Sequence, residues 1–231
     1  MSDKKAQESL DPEVKIQSAI GNTENFIMRN GRKLIIALVV VFVVVGGFYG
    51  YKYLVVKPRG AKAAEMMFMA EQHFAVDSFQ LALNGDGNYA GFLQVIDKYG
   101  STPTGNAARL YAGICYMRLG QFEEALAQLK KYDAPKSIPG QLLKAESLGM
   151  QGDAYIELKN YKEAASFYKK AVDASGNGVT APFYMKKLGM AYEKLGENAK
   201  ALDVYKEIQA SYGGSMEARD IQKSIGRLEQ L

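Results

Sequence analysis

The longest apolar run of the sequence covers residues 34–51, LIIALVVVFVVVGGFYGY, and contains no charged residue. Arg32 and Lys33 precede the run, and Lys52 follows it. In helical conformation the run would extend about 27 Å, which is close to the hydrocarbon thickness of a bilayer. A valine-rich run can also form a buried parallel strand, but such strands contain only about 4–8 residues. The pattern therefore predicts a transmembrane helix.

The residues before this run divide into a polar tail and a helix start. The tail, residues 1–23, opens with the charged stretch MSDKKAQESLDPE and is expected to be disordered. Asn22 or Thr23 is expected to cap the following helix, with Glu24 near its positive end. The anchor segment is therefore predicted to cover residues 24–57.

The anchor is expected to remain attached to the mature chain. The 33 residues before the apolar run exceed the charged region of a signal peptide, and no small-x-small cleavage site closely follows the run. The short N-terminal tail is basic beside the membrane, which favours a cytoplasmic N-terminus and a C-terminal domain outside the cytoplasm. The balance is narrow, because basic residues flank both ends of the run: Arg29, Arg32 and Lys33 before it, and Lys52, Lys57 and Arg59 after it.

From residue 60 onward the apolar positions follow the period of amphipathic helices, and strand-like alternation is absent. The six prolines, at positions 12, 58, 103, 135, 139 and 182, are all expected at helix boundaries. The predicted helices cover residues 60–84, 89–99, 104–119, 122–132, 140–158, 161–172, 181–195, 198–211 and 215–229.

Three segments of this helical part share one pattern of glycine, aromatic and alanine positions. A glycine opens each segment, a tyrosine follows three residues later, and an alanine comes nine residues after the tyrosine: Gly113, Tyr116 and Ala125; Gly152, Tyr155 and Ala164; Gly189, Tyr192 and Ala201. These segments resemble the tetratricopeptide repeat. The resemblance implies that the glycine lets two helices approach closely, the tyrosine fills the space between helices, and the alanine permits tight contact.

The repeats depart from the usual pattern in length and in two turn positions. The first glycines are 39 and 37 residues apart, against about 34 in the standard repeat. Extra residues are expected in the connections between repeats, such as residues 133–139. Lys159 replaces a turn glycine, and Asn198 replaces an aromatic residue.

The expected fold class is all-α, with one transmembrane helix followed by a tetratricopeptide-repeat α-solenoid over residues 60–231. A degenerate repeat is placed at residues 60–100, and a capping helix at residues 215–229. The three repeats lie between them, near residues 106–139, 145–176 and 182–213.

The charge distribution argues against a nucleic-acid partner. The net charge is +4, but residues 1–59 contain nine basic and five acidic residues, and residues 60–231 contain twenty of each. The C-terminal domain is therefore neutral and lacks the basic excess of a phosphate-binding face. The single cysteine, Cys115, cannot form an internal disulfide.

The residues that most often carry chemistry form no recognisable constellation here. His73 is the only histidine, so a metal site built on several imidazoles is excluded. Cys115 lies in an apolar run, which favours a buried structural thiol over a nucleophile. The adjacent Glu123 and Glu124 point about 100° apart on a helix, which is typical of a solvated face. We therefore expect a non-catalytic protein without a cofactor or bound metal.

The anchor and the repeats together resemble the YfgM-like family of ancillary Sec translocon subunits. The resemblance covers most of the chain from Glu24 onward and includes Asn25-Phe26 and Arg29-Asn30-Gly31 before the apolar run. It implies a single-pass protein of the bacterial inner membrane with a cytoplasmic N-terminus and a periplasmic C-terminal domain. It also implies two protein partners, a SecYEG-type translocon and a membrane-anchored periplasmic chaperone. The alternative is a scaffold subunit of another cell-envelope secretion or assembly complex.

Two candidate contact surfaces follow. Positions on the first helix of each repeat, outside the packing residues, predict a partner groove for an apolar or helical segment, such as nascent or unfolded polypeptide. The groove residues are Leu110, Ile114, Met117, Asp153, Ile156, Phe183, Lys186, Met190 and Glu193, with Gly149 on the same face. The alternative is that neighbouring helices cover much of this set. In the membrane helix, surrounded by lipid, Gly46 and Gly50 are four residues apart and could permit close helix contact; the alternative is a lipid-facing end that tolerates glycine.

Overall fold

The computed structural model describes residues 12–176 and 178–230. All regular elements within these residues are helices, which confirms the all-α prediction. The chain divides into two compact units, residues 1–57 and residues 58–231. The predicted disorder of residues 1–11 lies outside the described residues.

The first unit contains α1 (Pro12–Tyr51) and a π-helical turn (Lys52–Val56). The predicted helix start at Asn22 or Thr23 is wrong, and the predicted disorder of residues 12–23 is wrong as well, because α1 begins at Pro12. Proline is favoured at the first helical position, and no further proline interrupts the helix up to Tyr51. Extending a formed helix by one turn is easier than nucleating a new one, so the polar residues join the apolar helix.

The apolar part of α1 exposes its side chains, with Phe42 70% and Val43 68% exposed. In the described part of the chain, one helix is long and apolar enough to cross a membrane, and it contains this run. A helix that exposes this many large apolar side chains is unfavourable in water and is suited to a lipid environment.

The second unit is a solenoid of eleven helices within the described residues. These are α2 (Lys57–Ala75), α3 (Phe79–Asn84), α4 (Phe92–Tyr99), α5 (Pro103–Arg118), α6 (Phe122–Leu129), α7 (Ile138–Glu157), α8 (Tyr161–Ser175), α9 (Thr180–Lys194), α10 (Asn198–Tyr212), α11 (Met216–Asp220) and α12 (Gln222–Leu228). From α5 onward, consecutive helices pack against each other in pairs, as expected for stacked repeats.

Two predicted helices are each divided in the structure. The predicted helix 60–84 ends at Ala75 and resumes as α3, because Asp77 between them has a left-handed backbone with φ of 57°. Aspartate is one of the few residues other than glycine that visit this conformation readily. The predicted capping helix 215–229 is divided at Ile221 into α11 and α12.

Local sequence explains where the solenoid helices begin. The side chains of Thr102, Ser137, Asn160 and Ser215 each accept a hydrogen bond from the backbone N–H three residues later. Four prolines lie in the first turn of a helix, as predicted, namely Pro12, Pro103, Pro139 and Pro182, and Pro135 lies in the connection before α7. The predicted boundary at Pro58 is wrong, because α2 follows the π-helical turn without a break.

The repeat pattern has a direct packing role in the structure. A Cβ added to Gly152 would overlap the ring of Tyr168, and one added to Gly189 would overlap the ring of Tyr205. Tyr168 is 3% and Tyr205 1% exposed, so each glycine makes room for a buried tyrosine of the next helix. The turn that follows is conserved in shape despite the substitution at Lys159, which adopts φ of 56° where Gly196 adopts 74°.

Candidate partner groove and lysine pocket

The part of the predicted groove on α5 is packed against other helices. Leu110 is 8% exposed and belongs to a core cluster with Ala125 and Leu129. Ile114 and Met117 are half-buried against the same cluster, together with Leu143 and Met150 of α7. These three groove residues therefore contribute to the interface between the first two repeats.

On α7, the groove residue Asp153 is held by two partners within the solenoid. The Tyr168 hydroxyl donates a hydrogen bond to Asp153 Oδ1 at 2.6 Å, and Lys187 Nζ lies 2.7 Å from both carboxylate oxygens. Burial, followed by the nearby Asp153 charge, raises the pKa of Tyr168, so its hydroxyl keeps its proton. Ile156 is half-buried against the cluster that contains Tyr168 and Leu188. Asp153 thus links α7, α8 and α9.

On α9, the two charged groove residues are bound by the C-terminal helices. Lys186 Nζ lies 2.8 Å from Asp220 of α11. Glu193 accepts a hydrogen bond from the Tyr205 hydroxyl at 2.8 Å and forms an ion pair with Arg227 of α12. Burial and the Glu193 hydrogen bond raise the pKa of Tyr205. The C-terminal helices α11 and α12 therefore form ion pairs with the two charged groove residues of α9.

The apolar groove residues of α9 remain accessible. Phe183 is 42% and Met190 53% exposed. Met190 borders a cavity of about 290 Å³ between α9 and the C-terminal helices, whose lining includes Tyr205 and Ile221. The structure thus brings Asp153 next to α9, whereas the α5 residues lie in the packing between repeats.

Gly46 and Gly50 lie on one side of α1, four residues apart. A Cβ added to either would meet no atom within 4 Å in the part of the chain that the structure describes. The surface around them is open to a neighbouring helix or to lipid.

A further cavity lies outside the predicted groove, and sequence reasoning missed it. It has a volume of about 620 Å³ and is bounded by α6, α7, α8 and the connection before α7. We call it the lysine pocket, after Lys130, Lys136, Lys144 and Lys170 in its lining. The remaining lining residues are Leu129, Tyr132, Asp133, Ala134, Pro135, Gly140, Gln141, Ser147, Leu148, Gln151 and Phe167.

The lysine pocket and the predicted groove lie on different sides of α7. The pocket is lined by Lys144, Ser147, Leu148 and Gln151 of this helix. The groove residues of the same helix are Gly149, Asp153 and Ile156. At 100° per residue, the centres of the two sets are about 160° apart around the helix axis. The one sequence signal for the pocket is the 39-residue spacing between Gly113 and Gly152. The extra residues of this repeat lie in the connection before α7, which forms part of the pocket wall.

Two residues with potential chemistry have structural surroundings. Cys115 is fully buried, and burial raises the pKa of its thiol to about 12, so the thiolate that reacts as a nucleophile is scarce at neutral pH. His73 Nε2 lies 3.8 Å from the Asp86 carboxylate. Among the described residues, no group of three His, Cys, Asp or Glu side chains could hold a metal ion.

Comparisons with known proteins agree on the repeat. Tetratricopeptide repeat models match residues 90–138, 145–177 and 187–215. A comparison with curated proteins gives no match. The tetratricopeptide repeat matches cover most of the groove residues and most of the lysine pocket, but Gly140, Gln141 and Lys144 lie between two matched ranges.

Several solved structures have a similar fold. Two of them show nearly identical TPR-like repeats from Podosopora anserina, each at 16% identity over 74% of this chain, with 86% and 87% of their own chains covered and TM-scores of 0.55 and 0.53. A structure of MamA protein is 19% identical over 74% of this chain and 90% of its own, with a TM-score of 0.50. At these identities the similarity shows the fold alone. The chain is thus a tetratricopeptide-repeat protein with an N-terminal apolar helix.

Proposed function

We propose that this protein is a non-catalytic, membrane-anchored adaptor that binds partner proteins through its solenoid. The observation that carries the proposal is the combination of an exposed apolar helix with a tetratricopeptide-repeat solenoid, a fold whose usual role is protein–protein interaction. In this proposal residues 24–57 anchor the chain in the membrane and residues 60–231 form the binding domain.

The proposed location is the bacterial inner membrane, with a cytoplasmic N-terminus and a periplasmic solenoid. The basic residues Arg29, Arg32 and Lys33 on the short side of the apolar run support this orientation. Protease treatment of intact spheroplasts tests it directly. A periplasmic solenoid is degraded from outside, whereas a protected solenoid would contradict the orientation.

The proposed partners follow from the resemblance to YfgM-like proteins. The chain would act as an accessory subunit of a SecYEG-type translocon and connect it to a membrane-anchored periplasmic chaperone, or to a nascent or unfolded polypeptide. Within the predicted groove, Phe183 and Met190 are the residues best exposed to such a segment. An aromatic ring and a flexible methionine two turns apart on α9 suit an apolar partner helix.

Affinity purification in mild detergent followed by mass spectrometry tests the partners. The translocon and the chaperone are expected to be enriched over an unrelated single-span protein. Equal enrichment would contradict the proposal, and enrichment of another envelope complex would favour the alternative scaffold role.

The double variant Gly46→Leu and Gly50→Leu examines the membrane helix in the same assay. Leucine keeps the helix apolar, so membrane insertion is expected to be unchanged, while close approach by a partner helix is blocked. Lower recovery of the translocon is expected. Because no other helix occupies this surface in the described chain, unchanged recovery would show that the glycines face lipid.

A further inference from the structure

The lysine pocket concentrates positive charge in a domain that is neutral as a whole. Residues 60–231 contain twenty basic and twenty acidic residues, yet the pocket lining contains four lysines and a single acidic residue, Asp133. Such a local excess of one sign raises the concentration of oppositely charged ligands near the surface.

These lysines lack the partners that other cations of the solenoid have. Lys186, Lys187, Lys200, Lys206 and Arg227 each lie within salt-bridge distance of a carboxylate. Across residues 12–176 and 178–230, no such pair involves Lys130, Lys136, Lys144 or Lys170. The fold therefore pairs some of its cations near α9 and at the C-terminal helices, although Lys194, Arg219 and Lys223 form no such pair in the described chain. The four pocket lysines differ from those three in lining one cavity together.

Two of the lysines are positioned by aromatic rings instead of carboxylates. Lys130 Nζ donates a hydrogen bond to the Tyr155 hydroxyl at 2.7 Å. Lys170 Nζ lies 4.4 Å from the centre of the Phe167 ring, a cation–π distance. Both contacts hold the ammonium groups in place and leave their positive charge uncompensated.

The interior of the pocket combines apolar side chains with buried polar groups. Leu129, Tyr132, Leu148 and Phe167 contribute apolar surface, and Ser147 and Gln151 are each 4% exposed in its wall. A volume of about 620 Å³ falls within the range of about 300–1,000 Å³ that is typical of ligand pockets. A ligand that fits must offer carboxylates to the rim and one large apolar group to the interior.

We propose that the lysine pocket binds an acidic peptide segment that carries one large apolar side chain. The carboxylates pair with the four lysines, and the apolar side chain enters beside Phe167 and Leu148. Nucleic acid suits the site less well, because the domain lacks the extended basic surface that a phosphate backbone requires. The site lies across α7 from the predicted groove, so it depends neither on that groove nor on the membrane orientation proposed above.

Fluorescence anisotropy on the full-length protein in a non-ionic detergent tests the proposal. The probe is a fluorescein-labelled peptide of about twelve residues, composed of Asp and Glu with one central Phe. Replacing the Phe by Gly in the peptide is expected to weaken binding, because the cavity then loses its apolar occupant. Rising salt concentration is expected to weaken binding as well, since the rim contacts are electrostatic.

A pair of charge-matched double variants separates the pocket from general electrostatics. Lys136→Glu with Lys144→Glu is expected to weaken binding at least ~10-fold, because two attractive contacts become repulsive. Lys131→Glu with Lys169→Glu makes the same change in net charge at exposed residues outside the pocket lining and is expected to alter affinity less than ~2-fold. Circular dichroism confirms that both proteins keep their helical content.

Four outcomes would overturn the proposal: absence of binding by the native protein, equal loss in the two double variants, equal affinity for the peptide without Phe, or equally effective competition by oligo(dT). The last would identify a general polyanion surface. None of these results bears on the purification of membrane partners, so the two proposals fail independently.

Discussion

Helix α7 lies between two surfaces, one with paired and the other with unpaired charged side chains. On one side, Asp153 is bonded to Tyr168 and Lys187, which ties three successive helices together. On the other, Lys144 belongs to a group of four lysines that have no carboxylate within salt-bridge distance in the described chain. The first side joins repeats, and the second faces a cavity that the lengthened connection before α7 helps to form.

The difference indicates which surface is available to a partner. Charged groups that are already paired offer little to a ligand, because binding would first have to break a contact within the solenoid. Lysines that line one cavity without a carboxylate partner repel each other, and such a local excess of charge is expected where a binding function is favoured over stability. The predicted groove is therefore largely an interface between repeats, with Phe183 and Met190 as its accessible part, while the lysine pocket keeps its charges for a ligand.

We expect the largest change in stability from Gly149→Ala, which adds a methyl group on the Asp153 side of α7. An added Cβ would overlap the ring of Tyr184, which is 7% exposed and whose pKa burial raises to about 12. Overpacking of this kind should lower the free energy of unfolding by about 1–3 kcal/mol. Thermal and urea unfolding, followed by circular dichroism, measure the change.

Gly226→Ala in α12 is the matched control, since a Cβ there meets no described atom within 4 Å. Alanine should stabilise that helix by up to about 1 kcal/mol, because it has the higher helix propensity. If Gly149→Ala behaved in the same way, the surface of α7 toward α9 would be open, and the contrast between its two sides would disappear.

Two lysines that both lie over a phenylalanine ring provide a second test. Lys187 Nζ is 4.7 Å from the Phe183 ring centre and also pairs with Asp153, whereas Lys170 Nζ is 4.4 Å from Phe167 and pairs with no carboxylate in the described chain. Lys187→Ala leaves the half-buried Asp153 without its cation and should cost about 1–2 kcal/mol. Lys170→Ala should change stability by less than about 0.5 kcal/mol.

The same unfolding measurements compare the two variants under identical conditions. Similar losses would show that the ring contact, and not the carboxylate, determines the contribution of each lysine. A double variant with Asp153→Ala sharpens the result, because the loss from Lys187→Ala should shrink once its partner is gone.

Local chemistry made much of the fold predictable from the sequence. Proline cannot donate a backbone hydrogen bond within a helix, so five of its six positions indicated helix starts or a connection, whereas the helical run continues through Pro58. The repeat glycines had to lie against bulky side chains, and the structure places Tyr168 and Tyr205 beside Gly152 and Gly189. These features depend on neighbours in the chain or on one adjacent helix.

Features that depend on several helices at once were not predictable in this way. The burial of Leu110 follows from Leu143 and Met150 of α7, which are about 30–40 residues away and fit several registers equally well. The lysine pocket combines residues from three helices and a connection, and no single stretch of the sequence shows that these elements enclose a cavity. The start of α1 at Pro12 depends on the apolar helix that the polar residues extend, and their composition alone does not indicate it.

The smallest expected effect concerns the mutual repulsion of the pocket lysines. Lys144 and Lys170 both line the lysine pocket and an adjoining cavity, so Lys144→Gln should relieve repulsion and raise the free energy of unfolding by about 0.2–0.5 kcal/mol at ~10 mM salt. At ~1 M salt the Debye length falls to about 3 Å, and the gain should vanish. Lys169→Gln, at an exposed position outside the pocket lining, should have no comparable salt-dependent effect. A loss of stability for Lys144→Gln at low salt would mean that a carboxylate already compensates this lysine in solution, and the two sides of α7 would then differ in shape but not in charge.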